Sequence, residues 1–246
     1  MTGYDRDRFG QTWLDADRNG CDTRNDVLRR DLRDVALDPR TAGCVVSSGV
    51  LTDPYTGVVI EFVRGDRTAI DVDHVVALGD AWSSGAGRLD VRTRAAFAND
   101  PLNLLAVDAG ANRSKGDADA ATWLPPVKAY RCAYVARQVA VKAKYALAVT
   151  PAERDAVARQ LARCPDQPAA PDDTAAPTRV DQEVRDPGAE PPPTTAPTTA
   201  PETAPGGAAY LENCDAARAA GVAPVRRGDP GYGPHLDRDG DGSACE

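Results

Sequence analysis

Along its first two thirds the chain carries short apolar runs whose spacing changes from one to the next. Asn25-Asp-Val-Leu-Arg-Arg-Asp-Leu places its apolar residues as a short helix does. Gly57-Val-Val-Ile-Glu-Phe-Val-Arg, rich in β-branched residues, predicts a strand, and Ala69-Ile-Asp-Val-Asp-His-Val-Val predicts another. In that second strand Ile70 and Val72 point to one face and Asp71 and Asp73 to the other, because strand side chains alternate. Arg92-Thr-Arg-Ala-Ala-Phe-Ala-Asn predicts a helix ending near Pro101, and alternation is lost over Leu102-Asn-Leu-Leu-Ala-Val. Asp117-Ala-Asp-Ala-Ala-Thr-Trp-Leu predicts the start of a further helix, and Tyr130 to Val149 a long one rich in Ala and Val. Thr150-Pro-Ala-Glu has the form of a capping box opening the last helix. No apolar run approaches the roughly 20 residues that span a bilayer.

The pattern stops near residue 164. Residues 165–207 include Glu190-Pro-Pro-Pro-Thr-Thr-Ala-Pro-Thr-Thr-Ala-Pro-Glu and hold almost no large apolar groups. Such a segment cannot bury enough surface to offset chain entropy, so it is expected to be a disordered, partly polyproline-like linker. Three parts follow: a globular domain over residues 1–164, the linker, and a small module over residues 208–246.

Charge divides along the same line. The whole chain has a formal net charge of −8, which argues against a nucleic-acid ligand until it is counted by segment. Residues 1–164 carry 23 Lys and Arg against 22 Asp and Glu, whereas residues 165–246 carry 6 against 15. Within the first part, residues 128–163 hold eight basic residues and only two acids, Glu153 and Asp155. That stretch is either a phosphate-holding surface or a solvated helix face.

The six cysteines are Cys21, Cys44, Cys132, Cys164, Cys214 and Cys245, with no CxxC pair and only two histidines in the chain. A structural zinc site is therefore not expected. Disulfides are, because two cysteines fall in a C-terminal segment too small to bury them otherwise. Order along the chain suggests Cys21–Cys44, Cys132–Cys164 and Cys214–Cys245, one of 15 pairings open to six cysteines. Disulfides and a Pro/Thr stalk point to a secreted or cell-envelope protein. Met1-Thr-Gly-Tyr-Asp-Arg-Asp-Arg is polar from the start, so the expected signal peptide is not in this chain.

Candidate chemistry centres on His74, which stands beside Asp73 at a strand end, with Asn103 and Asn112 following within 40 residues. Singly these residues mean little, since Asn in loops caps and turns. Together they provide what phosphodiester hydrolysis requires. An imidazole can take the proton of a water. A carboxylate and an amide oxygen suit Mg²⁺ or Mn²⁺, which stabilises charge on the phosphate. Arg113 and Lys115 beside Asn112 can contact that phosphate.

Asp71-Val-Asp73-His74-Val, Asn103-Leu-Leu and Asn112-Arg-Ser-Lys-Gly-Asp resemble the HNH endonuclease family, whose core is the ββα-metal fold. The resemblance implies that Asp73 and Asn112 are metal ligands, that His74 is the general base and that Asn103 positions the His loop. Cys21-Asp-Thr-Arg-Asn, Asp53-Pro-Tyr-Thr-Gly, Phe97-Ala-Asn-Asp-Pro-Leu-Asn-Leu-Leu-Ala-Val and Trp123-Leu-Pro-Pro resemble a secreted-type bacterial subgroup. Asn112 stands where many relatives have His. Arg24 is a further candidate at the phosphate, and Asp71 and Asp117 are assigned no catalysis.

At the C-terminus Asp237-Arg-Asp239-Gly-Asp241-Gly242-Ser243 matches the opening of an EF-hand loop, with carboxylates at positions 1, 3 and 5, Gly at 6 and the Ser243 carbonyl next. The chain ends before a twelfth position, and Glu246 is the candidate replacement. Tyr210 to Glu246 resembles the excalibur calcium-binding domain, which implies Ca²⁺ and an extracellular setting.

The expected fold is α+β, an HNH ββα-metal core embedded in a mainly helical domain, followed by the disordered linker and a disulfide-stapled calcium module. The expected function is metal-dependent endonuclease action on DNA, with RNA as an alternative substrate. Two other assignments fit parts of the chain: a non-catalytic envelope protein binding nucleic acid or cell-wall polymer, and a cytosolic defence nuclease. No phosphate-loop or dinucleotide glycine motif is present, so nucleotide-driven chemistry is not expected.

Overall fold

The computed structural model describes residues 3–66, 69–172, 177–186, 211–237 and 242–245. The chain divides into two compact units, residues 1–192 and 193–246.

In the first unit, α1 (Thr23–Asp31) starts where the Asp22 side chain accepts from Asn25 N, an N-cap that satisfies one of the helix's orphan donors. Three antiparallel strands follow in the order β1 (Arg33–Leu37), β2 (Val46–Thr52) and β3 (Val59–Val63). A second sheet pairs β4 (Ile70–His74) with β5 (Leu104–Asp108), also antiparallel, with Ile70 opposite Asp108 and His74 opposite Leu104. Between these two strands lie α2 (Leu78–Ser84) and α3 (Val91–Ala98). Directly after β5 comes α4 (Ala109–Lys115), capped by Asp108. Two antiparallel strands followed at once by a helix therefore stand at the centre of the unit. The longer helices α5 (Arg131–Lys144) and α6 (Pro151–Leu161) follow, and Thr150 with Glu153 closes both halves of the capping box.

The core lies on both sides of β4 and β5. Ile70, Leu104 and Ala106 pack with Val27, Leu28, Leu51 and Phe62 from α1 and the first sheet. Leu105 and Val107 point the other way, onto Tyr55, Ala111, Tyr134 and Val135. Truncating such a buried Leu to Ala costs about 2–5 kcal/mol. The disulfide Cys21–Cys44 ties the start of α1 to the turn before β2, and Cys132–Cys164 joins α5 to the end of α6.

The structure departs from the sequence expectation in two places. The stretch from Asp117 is a series of turns instead of a helix, because the Asp117 carboxylate accepts from Gly79 N and Asp119 turns back on Ala121 N and Thr122 N. The chain beyond residue 164 also continues to pack on this unit. Val180 is fully buried among Phe9, Ala95 and Phe97. Asp186 pairs with Arg8 and with buried Arg94, and Gln182 donates to Asp15 O.

In the second unit, α7 (Cys214–Ala219) and the short pair β6 (Val225–Arg226) and β7 (Ser243–Ala244) enclose Leu211, Ala217 and Leu236. Cys214–Cys245 staples it.

Candidate functional site

β4 runs from the core to a cavity of about 420 Å³ lined by Asp71, Asp73, His74, Asn112, Arg24 and Asp117, among others. Strand alternation sends Ile70 and Val72 to the core and leaves Asp71 and Asp73 on the opposite face. Antiparallel pairing with β5 and the immediate turn into α4 bring Asn112 and Lys115, three residues apart on one helix face, back against that strand.

His74 is 8% exposed. Its Nε2 lies 2.9 Å from Ala98 O, at the end of α3. A carbonyl only accepts, so Nε2 carries the proton and Nδ1 keeps its lone pair. Burial pushes the imidazole pKa down to about 3, the Ala98 carbonyl pulls it up, and Arg6 and Lys115 add to the depression. The ring is thus neutral at physiological pH. The indole of Trp13 stacks on it, with centroids 6.5 Å apart and planes 10° from parallel.

Asn103 holds the chain just after His74. Its side chain is wholly buried, with Oδ1 accepting from Val76 N at 2.8 Å and Nδ2 donating to Val76 O at 3.2 Å. Asn103 O also accepts from Val75 N.

Asp73 is buried between two donors. Tyr55 Oη donates to Oδ2 at 2.6 Å, and Lys115 Nζ donates to Oδ1 at 2.9 Å. Burial pushes the carboxyl up, while Lys115 and the Tyr55 hydroxyl draw it back. Tyr55 itself is set by the Asp53 turn, in which Asp53 accepts from Thr56 N and from Asp108 N at the end of β5.

Lys115 differs from its expected place at a phosphate. Its side chain is 0% exposed, and its ammonium donates to Asp73 and to His74 O, so it braces the site from within. Asn112 Nδ2 donates to Asp71 Oδ2 at 3.0 Å, which brings Asp71 into the cluster. Arg24, early in α1, lines the same cavity; burial and Arg64 push its pKa down, and Asp22 and Asp71 pull it up. Arg113 is exposed on α4 and does not line the cavity.

Sequence reasoning assigned no role to Tyr55, Trp13 or Arg6. Tyr55 stood in a family-resembling stretch, Asp53-Pro-Tyr-Thr-Gly, which was its only signal. Among the described residues no three Asp, Glu, His or Cys side chains form a metal cage by themselves.

In the C-terminal unit Asp237 is buried. Its Oδ2 accepts from Gly242 N at 3.0 Å and from the Tyr232 hydroxyl. Ser243 pairs with Arg226 across β6 and β7. Asp239, Asp241 and Glu246 lie outside the described residues.

Comparison with known proteins gives two family matches. The model of the GmrSD restriction endonucleases, C-terminal domain, matches residues 22–160, and that of the Excalibur calcium-binding domain matches residues 212–246. An uncharacterized secreted protein of Arthroderma benhamiae is 38% identical over 164 residues, spanning 66% of this chain and 76% of the relative. No solved structure matches.

Proposed function

Because the chain belongs to the family of the GmrSD restriction endonuclease C-terminal domain and ends in an Excalibur calcium-binding domain, we propose that it is a metal-dependent endonuclease hydrolysing phosphodiester bonds of DNA, with β4, β5 and α4 as an HNH-type ββα-metal core. One observation carries this assignment. His74 is fixed through Nε2 to Ala98 O, so that Nδ1 carries the lone pair in a ring lining the same cavity as Asp73 and Asn112.

His74 is the general base, taking a proton from water at Nδ1. Asn103 is a positioning residue, because it clamps the backbone that follows His74. The oxygen donors fit a hard divalent ion: Asp73 and Asn112 are the proposed ligands, and each Asp73 oxygen keeps a lone pair beyond the donor it already accepts. Few protein oxygens suffice for Mg²⁺ or Mn²⁺, since water and phosphate complete the shell. When bound there, the ion supplies charge stabilisation at the scissile phosphate. Lys115 and Tyr55 hold Asp73 in one orientation, and Arg24 faces the same space as a phosphate contact. Arg113, exposed on α4, is assigned to phosphates farther along the backbone.

The Excalibur module is assigned to Ca²⁺, with Asp237, Asp239, Asp241, Ser243 and Glu246 as its oxygen donors. Three disulfides and a relative named as secreted support an extracytoplasmic protein.

Nicking of supercoiled plasmid by the purified chain in Mg²⁺, Mn²⁺, Ca²⁺ or EDTA tests the assignment. Wild type cleaves only with a divalent ion, and His74→Ala abolishes cleavage with the fold intact. Full metal-dependent nicking by His74→Ala would overturn it.

A further inference from the structure

A second cavity, of about 640 Å³, adjoins the candidate catalytic one. The two share Arg6, Trp13, His74 and Leu78 as lining residues, so Trp13 and His74 border both. The volume falls within the ~300–1,000 Å³ typical of small-ligand clefts. Its walls come from the N-terminal flank, around Arg6 to Trp13, and from the returning chain at Glu183 and Arg185. Both flanks lie outside residues 22–160, the stretch matched by the nuclease family. The second cavity is therefore walled partly from outside that stretch and partly, at His74, Leu78, Ala98 and Asn99, from within it.

Both flanks are held firmly. Val180 sits in the core, Asp186 pairs with Arg8 and Arg94, and Gln11 Nε2 donates to Glu183 O. Leu14 N donates to Asn99 Oδ1 at 2.9 Å, fixing the chain just after Trp13. Trp13 adopts φ 58°, a left-handed conformation that a bulky residue rarely takes, and its half-buried indole lines both cavities.

The charges are divided between structure and opening. Arg8 and Arg94 are spent on Asp186. Arg6 and Arg185 are exposed, line the cavity, and among the described residues take part in no ion pair. Asp7 and Glu183 line it too, so the wall is mixed in sign and not a uniform cationic face. An indole and two guanidiniums outside any described ion pair, lining one cavity, match a nucleotide chain, in which bases alternate with phosphates. A base inside a duplex already has both faces stacked and can reach a recessed indole only by leaving the helix.

We propose that this second cavity is a subsite for an unpaired nucleic-acid strand next to the scissile bond, in which Trp13 stacks on a base and Arg6 and Arg185 hold the adjoining phosphates. The subsite rests on the nuclease assignment for its orientation. It makes single-stranded or locally unpaired nucleic acid the preferred substrate.

The test is binding without cleavage. Fluorescence anisotropy in EDTA compares a labelled single-stranded oligodeoxythymidylate with a labelled hairpin duplex, using the full chain and its Trp13→Ala, Trp13→Phe and Arg185→Ala variants. The single strand is expected to bind more tightly than the duplex. Trp13→Ala should weaken single-strand binding about tenfold or more, Trp13→Phe less, and Arg185→Ala several-fold with a flatter salt dependence. Duplex binding should hardly change. Equal affinity for the two probes, or unchanged single-strand binding in both Trp13→Ala and Arg185→Ala, would overturn the subsite. Arg185 is exposed, so that variant remains informative even where Trp13→Ala is unstable. The two proposals fail separately: a chain that nicks plasmid but shows no such binding loses only the subsite. A chain that binds as expected but never cleaves loses the nuclease assignment and the subsite's place beside a scissile bond, and keeps the single-strand site.

Discussion

Lys115 Nζ and Asp73 Oδ1 lie 2.9 Å apart, both out of water, at the point where α4 crosses β4. This pair connects the family-resembling Asn112-Arg-Ser-Lys stretch to the Asp73-His74 dipeptide through space. The same ammonium also caps His74 O. Lys115 therefore serves the carboxylate and the backbone of the candidate base at once, and the site is braced before any substrate arrives.

Replacing Lys115 with Met should leave Asp73 buried without its countercharge. Breaking one side of a buried ion pair costs about 3–5 kcal/mol. Urea unfolding of Lys115→Met should show a loss of that order. The Asp73→Asn, Lys115→Met double variant should recover part of it, because the uncompensated charge is gone. Simple additivity of the two single losses would count against the pairing.

Tyr55→Phe keeps the ring packed against Trp123 and Tyr134 and removes only the hydroxyl that donates to Asp73 at 2.6 Å. The expected stability loss is about 1–3 kcal/mol, the cost of a lost hydrogen bond to a buried charged group. On the nuclease assignment kcat should fall with little change in KM, since the hydroxyl orients a ligand and touches no substrate. An unchanged kcat would remove Tyr55 from the site's support.

What could be read along the chain was local. β4 was visible because one of its faces is buried and the other polar, so Ile70 and Val72 alternate with Asp71 and Asp73. The capping box at Thr150 was visible because both of its partners lie within three residues. β5 was not, since Leu104, Leu105, Ala106 and Val107 are all buried and a strand enclosed on both sides loses its alternation. Composition marks residues 165–207 as linker, yet within that range Val180 is buried in the core and Asp186 pairs with Arg94, contacts that low-complexity composition does not reveal. In the candidate site, His74, Asp73, Asn103 and Asn112 are named by the resemblance to the HNH family. That Asn112 would turn its amide to Asp71, or Lys115 its ammonium to Asp73, depends on contacts 41 and 42 residues apart, which no local pattern encodes.

Calcium should stabilise the C-terminal unit. Asp237 is buried, and its Oδ2 is directed by Gly242 N, so the first carboxylate of the loop is already oriented. Ligand binding to the native state raises stability in proportion to RT ln(1 + [L]/Kd). Calorimetry on the full chain should show an upward shift of one transition at millimolar Ca²⁺, absent in Asp237→Asn. No heat of binding and no shift in the wild type would remove the calcium assignment.

Chains ending at residue 164 and at residue 186 should differ in stability. The shorter one exposes the site that Val180 fills, a loss of about 1.5–3 kcal/mol for a side chain of that size. It also deprives Arg94, whose side chain is 4% exposed, of Asp186. Its backbone acceptors Arg8 O and Leu89 O remain, so part of the guanidinium's hydrogen bonding survives. The combined effect should be at least about 3 kcal/mol, read as a lower thermal midpoint for the 164-residue chain. Asp186→Asn in the full chain separates the two contributions: it removes the charge, leaves Val180 in place, and should reproduce only part of the loss. Equal midpoints for the two truncated chains would show that the returning segment adds nothing to the domain's stability.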